Sequence, residues 1–183
     1  MELWDLYTKD RQPTGRTMFR GEKNPEGLYN LGVYVWIRNQ EGEYLISMRS
    51  GKKKTYPLKW ETVGGCVLSG ETSIEGAVRE LHEEVGLVAQ PNRLELILSL
   101  VDPMWNGRIQ QEIDDVYLYW LEEAFDAKSA MSDEVEECRW MSADEIRECF
   151  RTGEFIDVLE PIFEQVDSIR QKGSAYDGKS IEK

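Results

Sequence analysis

Along this chain the spacing of hydrophobic and polar positions switches between two periods. Gly32-Val33-Tyr34-Val35-Trp36-Ile37 is a nearly continuous apolar run, and a turn over Asn39-Gln40-Glu41-Gly42 leads into a second, Tyr44-Leu45-Ile46-Ser47-Met48. Short runs of β-branched and aromatic residues closed by turn formers predict buried strands. Trp60 to Val67 also reads as extended, with Gly64-Gly65 marking a bend or a close backbone approach. Further strands are predicted at Leu94–Val101, Val116–Leu121 and Val135–Trp140.

At Thr72 the period changes. Thr72-Ser73-Ile74-Glu75 is a capping box, Ile74, Ala77, Val78, Leu81 and Val85 recur at helical spacing, and Gly86-Leu87 suits a left-handed stop. Ser142-Ala143-Asp144-Glu145 opens a second helix, and a third is predicted over Phe155–Ile169, kinked or divided at Pro161. Residues 1–30 are rich in turn formers (Pro13, Gly15, Gly21, Asn24, Pro25, Gly27) and read as an N-terminal arm with one short hairpin. Residues 31–170 then form the main domain with its C-terminal helices, and 171–183 a flexible polar tail. The expected class is α/β, with a mixed central sheet between helices.

Composition narrows what such a domain can meet. The chain has 183 residues, 40% hydrophobic and 31% charged, enough to fill one core. No apolar run approaches the roughly 20 residues that span a bilayer, and Met1-Glu2-Leu3-Trp4-Asp5 lacks the regions of a signal peptide. Cys66, Cys138 and Cys149 are odd in number and form no C-x-x-C pair, which points to reduced thiols and a cytoplasmic location. Lysine and arginine total 22 against 35 acids, a net charge of −13. That field opposes nucleic acid and anionic membranes. A small phosphorylated metabolite stays open as partner if a divalent cation or a local basic cluster offsets the repulsion.

The distribution of acids on the first helix carries the chemistry. Glu80, Glu83 and Glu84 stand at i, i+3 and i+4 and share one face, turned away from the apolar stripe. Like charges so placed repel by a few tenths of a kcal/mol per exposed pair. A hard divalent ion reverses the sign, because it wants several carboxylate oxygens. Arg79, four residues before Glu83, is placed to orient that carboxylate, and Gly64-Gly65 and Glu71 lie just upstream.

Together these residues carry a resemblance. Gly65, Glu71, Arg79-Glu80-Leu81, Glu83-Glu84 and Gly86-Leu87 match every specified position of the Nudix box, G-x5-E-x7-R-E-U-x-E-E-x-G-U, over 23 residues. Trp60, Val63-Gly64-Gly65 and Arg49-Ser50 are similar to the family around it. The resemblance implies a Nudix fold, an α/β/α sandwich, and an Mg²⁺-dependent hydrolase (Mn²⁺ substituting) that cleaves a diphosphate linkage in a nucleoside diphosphate conjugate or similar metabolite. It implies Glu80, Glu83, Glu84 and the Gly65 carbonyl as metal ligands, Glu83 as general base, and Glu71, Arg79 and Gly86 as stabilisers of the box. Glu112, Asp114 and Asp115 are candidates for additional carboxylates. Arg49, Lys52, Lys53, Lys54 and Lys59 form the local basic cluster, with Arg49, Lys54 and Lys59 the expected phosphate contacts. Trp36, Trp60, Trp105 and Tyr117 are candidates for stacking a base or for filling the core, and Met104–Gln111 is a candidate specificity loop.

Two rival functions stay open. Glu2-Leu3-Trp4-Asp5 and the Thr14-Gly15 turn resemble the arm of isopentenyl-diphosphate isomerase-like Nudix proteins, whose reaction uses a cysteine, a glutamate and a metal held partly by upstream histidines. Here the only histidine is His82, at a variable box position, and Cys66 reads as a packed strand residue. The other rival is a non-catalytic nucleotide-binding regulatory module, against which the intact box counts. The arm also offers a surface with which a homodimer would form.

Overall fold

A computed structural model describes residues 2–105, 107–126 and 132–173. The arm is a docked hairpin. Strands β1 (Leu3–Tyr7) and β2 (Pro13–Phe19) pair antiparallel, and Trp4, Leu6 and Met18 pack onto Leu28, Cys66 and Leu68 of the same chain. One face of the arm is thereby folded onto its own domain.

The central sheet contains β3 (Asn30–Arg38), β4 (Tyr44–Arg49), β5 (Trp60–Glu61), β6 (Val63–Cys66), β7 (Leu94–Val101), β10 (Glu112–Trp120) and β11 (Val135–Met141). Its order is β11-β4-β3-β10-β7, with β5 on β4 and β6 on β3. The β3–β10 pair is parallel, from Asn30 opposite Glu112 to Arg38 opposite Trp120, and the other pairs are antiparallel. A separate hairpin, β8 (Met104–Trp105) and β9 (Arg108–Ile109), occupies the predicted specificity loop.

Alternation sorts side chains between two cores. Val33, Val35 and Ile37 bury against Ala77, Leu81 and Val85 of helix α1 (Ser73–Val85). Trp36, Val116 and Leu118 bury on the opposite side with Ile146 of α2 (Ala143–Thr152) and Phe163 of α3 (Glu160–Gly173). The result is the expected layering, α1, mixed sheet, α2 with α3. Trp36, Trp60 and Tyr117 are buried in these cores and do not stack a base. The Trp105 side chain lies outside the described residues, as does the tail from 174 onward.

Several boundaries differ from expectation for physical reasons. The predicted Trp60–Val67 strand is two, because β5 and β6 pair with different neighbours. Between them the Thr62 hydroxyl donates to the Val35 carbonyl at 2.6 Å. Pro161 does not kink the last helix. It sits in the first turn of α3, where its missing N–H costs nothing. Asp157–Leu159 forms a separate 3-10 turn before it. Ile74 falls off the buried stripe of α1 and is exposed. Strand β10 starts four residues before the predicted Val116, so Glu112, Asp114 and Asp115 belong to the sheet rather than to a solvated loop.

Asp115 ties the arm to this frame. It accepts both guanidinium nitrogens of Arg11 at 2.6 Å, the Ser73 hydroxyl at the start of α1 and the Ser99 hydroxyl of β7, each at 2.5 Å. Arg11 holds left-handed backbone, φ 60°, a conformation that non-glycine residues keep only where surrounding contacts over-determine it. Burial alone would raise the Asp115 carboxyl. The hydrogen bonds from Arg11, Ser73 and Ser99 outweigh it and hold the group below the usual aspartate value. A carboxyl whose pKa falls on folding stabilises the native state above its unfolded pKa and loses that contribution as pH drops through its folded value. Asp115→Asn should therefore lower unfolding free energy by about 2 kcal/mol in urea at pH 7. The gap between variant and native protein should narrow as the native carboxyl is protonated in acid.

Candidate active site

Helix α1 starts where Thr72 and Glu75 cap each other reciprocally and stops where Gly86 adopts φ 71°. Its apolar stripe fixes its rotation on the sheet, and Arg79 ties its acidic edge to the preceding loop. Arg79 Nε donates to Glu71 Oε1 at 2.9 Å, and Nη2 to the Cys66 carbonyl at 2.8 Å. Its Nη1 reaches Glu80 Oε1 at 2.7 Å and Glu83 Oε2 at 3.0 Å. Glu71 in turn accepts the Leu68 N–H at 3.0 Å. One planar, five-donor group so connects the β6 end, the loop and the helix, a pattern that lysine's single ammonium cannot reproduce.

The three helix acids differ in setting. Glu83 is 56% exposed at the side chain. Glu80 lies against Gly65, where any Cβ would overlap its carboxylate. Burial pushes the Glu80 carboxyl up, with Arg79 opposing the shift. Glu84 is 8% exposed, and its Oε2 is buried without a hydrogen-bond partner. Burial, with the charges of Glu61 and Glu80 nearby, pushes Glu84 well above the usual carboxylate range.

Glu61 is a carboxylate the sequence reading missed. Its neighbour Trp60 points into the core, so strand alternation turns Glu61 to the opposite side; that parity was a readable signal. Arg49 Nη1 contacts both Glu61 oxygens at 2.8 Å. Burial nevertheless raises the Glu61 carboxyl to about 7, against the opposing pull of Arg49.

These groups line a cavity of about 470 Å³. Glu61, Gly65, Arg79, Glu80, Glu83 and Glu84 form one part of its wall, and Gly32, Tyr34, Glu112 and Asp114 another. Arg20 and Glu2 of the arm join them, paired with each other at 2.5 Å. Asp115 points away, into the Arg11 linkage. Arg49 and Lys53 line the cavity, each paired with an acid, Lys53 with Glu134. Lys54 and Lys59, expected as phosphate contacts, do not line it: Lys54 is exposed, and the Lys59 ammonium is bound by the Gly153 carbonyl. Cys66 is half-buried, packs under the arm and also lines the cavity, its Sγ 3.5 Å from Glu112 Oε1. His82 is exposed on α1.

The donor set passes a test for a hard divalent ion. A carboxyl oxygen buried without a donor, as at Glu84 Oε2, is costly to ionise unless a cation approaches it. Oxygen-only acids around it suit Mg²⁺ or Mn²⁺ rather than a soft metal. Among the described residues, no three acidic, cysteine or histidine side chains are already gathered into a closed metal group. Glu80 and Glu83 are turned onto Arg79 instead.

A family model described as the NUDIX domain matches residues 28–159, and the chain belongs to the Nudix hydrolase family. It is 31% identical over 157 residues to a Nudix hydrolase of Listeria monocytogenes, covering 85% of this chain and 89% of that one. Among solved structures it is similar to the DR0079 protein of Deinococcus radiodurans, with a TM-score of 0.63 and 22% identity over 84% of this chain and 91% of that one. The likeness to an isopentenyl-diphosphate isomerase of Salmonella arizonae is weaker, 26% over 121 residues and 64% of each chain. The family is thus carried by hydrolases, and its isomerase branch only faintly.

Gly65→Ala tests the close approach of sheet and helix. The added methyl must displace the Glu80 carboxylate while leaving both cores intact. The variant should keep its circular dichroism spectrum and lose about 10-fold or more in hydrolytic kcat/KM, since small displacements of reacting groups are expensive.

Proposed function

We propose that this chain hydrolyses a diphosphate linkage in a nucleoside diphosphate conjugate or similar small metabolite, with Mg²⁺ bound and Mn²⁺ able to replace it. The observation that carries the reading is the unpartnered, buried Glu84 oxygen beside Glu80 and Glu61 in the cavity wall. Glu80, Glu83, Glu84 and the Gly65 carbonyl would hold the metal. When bound, it supplies positive charge for the diphosphate oxygens and polarises the attacked phosphorus.

The chain's own groups have separable tasks. Glu83 is the most exposed of the three, and Arg79 fixes its Oε2. It is the proposed base that takes the proton of the attacking water. Arg49 and Lys53 present positive charge to the substrate's phosphates, each steadied by an acidic partner. Glu71 and Arg79 orient the acids and touch no reacting atom. The three free cysteines support a place in the reducing cytoplasm.

One observation favours a second reading. The Cys66–Glu112 contact lines the cavity, as an isomerase-like site requires. The upstream histidines of that site are missing, and hydrolysis remains the better reading. A screen of diphosphate conjugates and isopentenyl diphosphate with Mg²⁺, products identified by mass, separates the two. Phosphate-bond cleavage is expected; an isomer of unchanged mass overturns it.

Two substitutions sharpen the test. Glu84→Gln removes the buried negative charge and should abolish Mg²⁺-dependent release of product. Arg79→Lys keeps the charge but loses the fork, and divalent-ion affinity by calorimetry should fall by about 10- to 100-fold.

A further inference from the structure

The wall of the cavity formed by β3 and β10 carries a second feature that the diphosphate chemistry does not use. Asp114 is only 2% exposed, yet it lines the cavity and makes no hydrogen bond or ion pair among the described residues. Burial and the charges of Glu112 and Asp115 push its carboxyl well above the ordinary range, with no cation opposing them. Glu112, two residues earlier on the same strand face, accepts the Asn30 amide at 2.6 Å and lies beside the Cys66 thiol. A methyl on Gly32 would overlap Asp114 Oδ1 and come within 3.2 Å of Glu112 Oε1, so both oxygens close on one point above Gly32 that only a glycine leaves open. Asn30 is itself held by Asn24, whose amide donates to Asn30 Oδ1 at 2.9 Å and to the Gln111 carbonyl at 2.7 Å. The Glu112 end is thus built into a hydrogen-bonded frame, and the Asp114 end is not.

We infer that Asp114 and Glu112 form a subsite for a protonated amine on the non-phosphate part of the substrate, so that the preferred substrate is a diphosphate carrying an ammonium group. This rests on reading the cavity as the substrate site. Two adjacent buried carboxylates gain most from a ligand that supplies both a positive charge and N–H donors, which a hydroxyl supplies only in part. The surroundings suit an organic cation better than a second divalent ion. Besides the two acids, the neighbouring walls are the Tyr34 ring, the Cys66 thiol and a committed amide, not the ring of oxygens and waters that Mg²⁺ demands. The acids of α1 take the metal and diphosphate, and Asp114 with Glu112 takes the charged nitrogen at the other end.

The test compares two nucleoside diphosphate esters that differ only in an aminoethyl or a hydroxyethyl group, assayed with native protein, Asp114→Asn and Glu112→Gln in the presence of Mg²⁺. Native protein should favour the amine about 10-fold or more in kcat/KM, and either substitution should bring the ratio close to one. Equal rates on the two esters with native protein overturn the subsite and leave diphosphate hydrolysis standing. If neither ester is cleaved, calorimetry on the same pair decides: about 10-fold tighter binding of the amine, lost in Asp114→Asn, upholds the subsite although the hydrolase reading fails, and equal affinities sink it. If Glu112→Gln weakens Mg²⁺ binding as much as Glu84→Gln does, the pair holds a metal ion and the proposal falls.

Discussion

Carboxylates packed into a low-dielectric cavity repel one another, and the structure around this site depends on where positive charge is set among them. Arg79 is the protein's own answer. It holds Glu71, Glu80 and Glu83 together with the Cys66 carbonyl, and so fixes the loop that ends β6 against the helix that follows it. Arg49 does the same for Glu61. What these two guanidiniums do not reach is Glu84 Oε2, and there a buried oxygen is left without a donor. The rest of the fold serves that arrangement: the apolar stripe of α1 sets which way the acids face, and the glycine at position 65 lets the sheet come close enough to meet them.

The arm belongs to the same economy of charge. Asp115 and Asp114 are neighbours in sequence with opposite fates, because adjacent strand residues face opposite sides of a sheet. Asp115 is satisfied by Arg11, Ser73 and Ser99 and holds the arm in place. Asp114 is left facing the cavity. The docked arm then brings Glu2 and Arg20 to the rim, so a segment far from the box in sequence helps to shape the site.

Much of this was legible in the residues. Helix α1 was readable end to end, because its cap, its stop and its apolar stripe are local signals that agree. The box acids followed from helical spacing, and the Arg79–Glu83 contact from the i, i+4 rule. The long-range parts were not legible. Glu112, Asp114 and Asp115 resemble a solvated loop by composition, and only pairing with β3 and β7 shows them to be sheet. Lys54 and Lys59 looked equivalent to Arg49 and Lys53, but local spacing could not say which cations face the cavity and which face Gly153 or solvent. Glu61 was hidden for the opposite reason. Its strand is two residues long, so its parity with Trp60 was the one local sign of the side it faces.

Whether a divalent cation completes the charge pattern at Glu84 decides the chemistry of the site. Crystals soaked in Mn²⁺ and measured at the manganese absorption edge address this directly. An anomalous peak is expected within bonding distance of a Glu84 oxygen, with Glu80 or Glu83 swung from Arg79 to meet it. A cavity with no such peak, and Glu84 still buried without a partner in the presence of the metal, would contradict it.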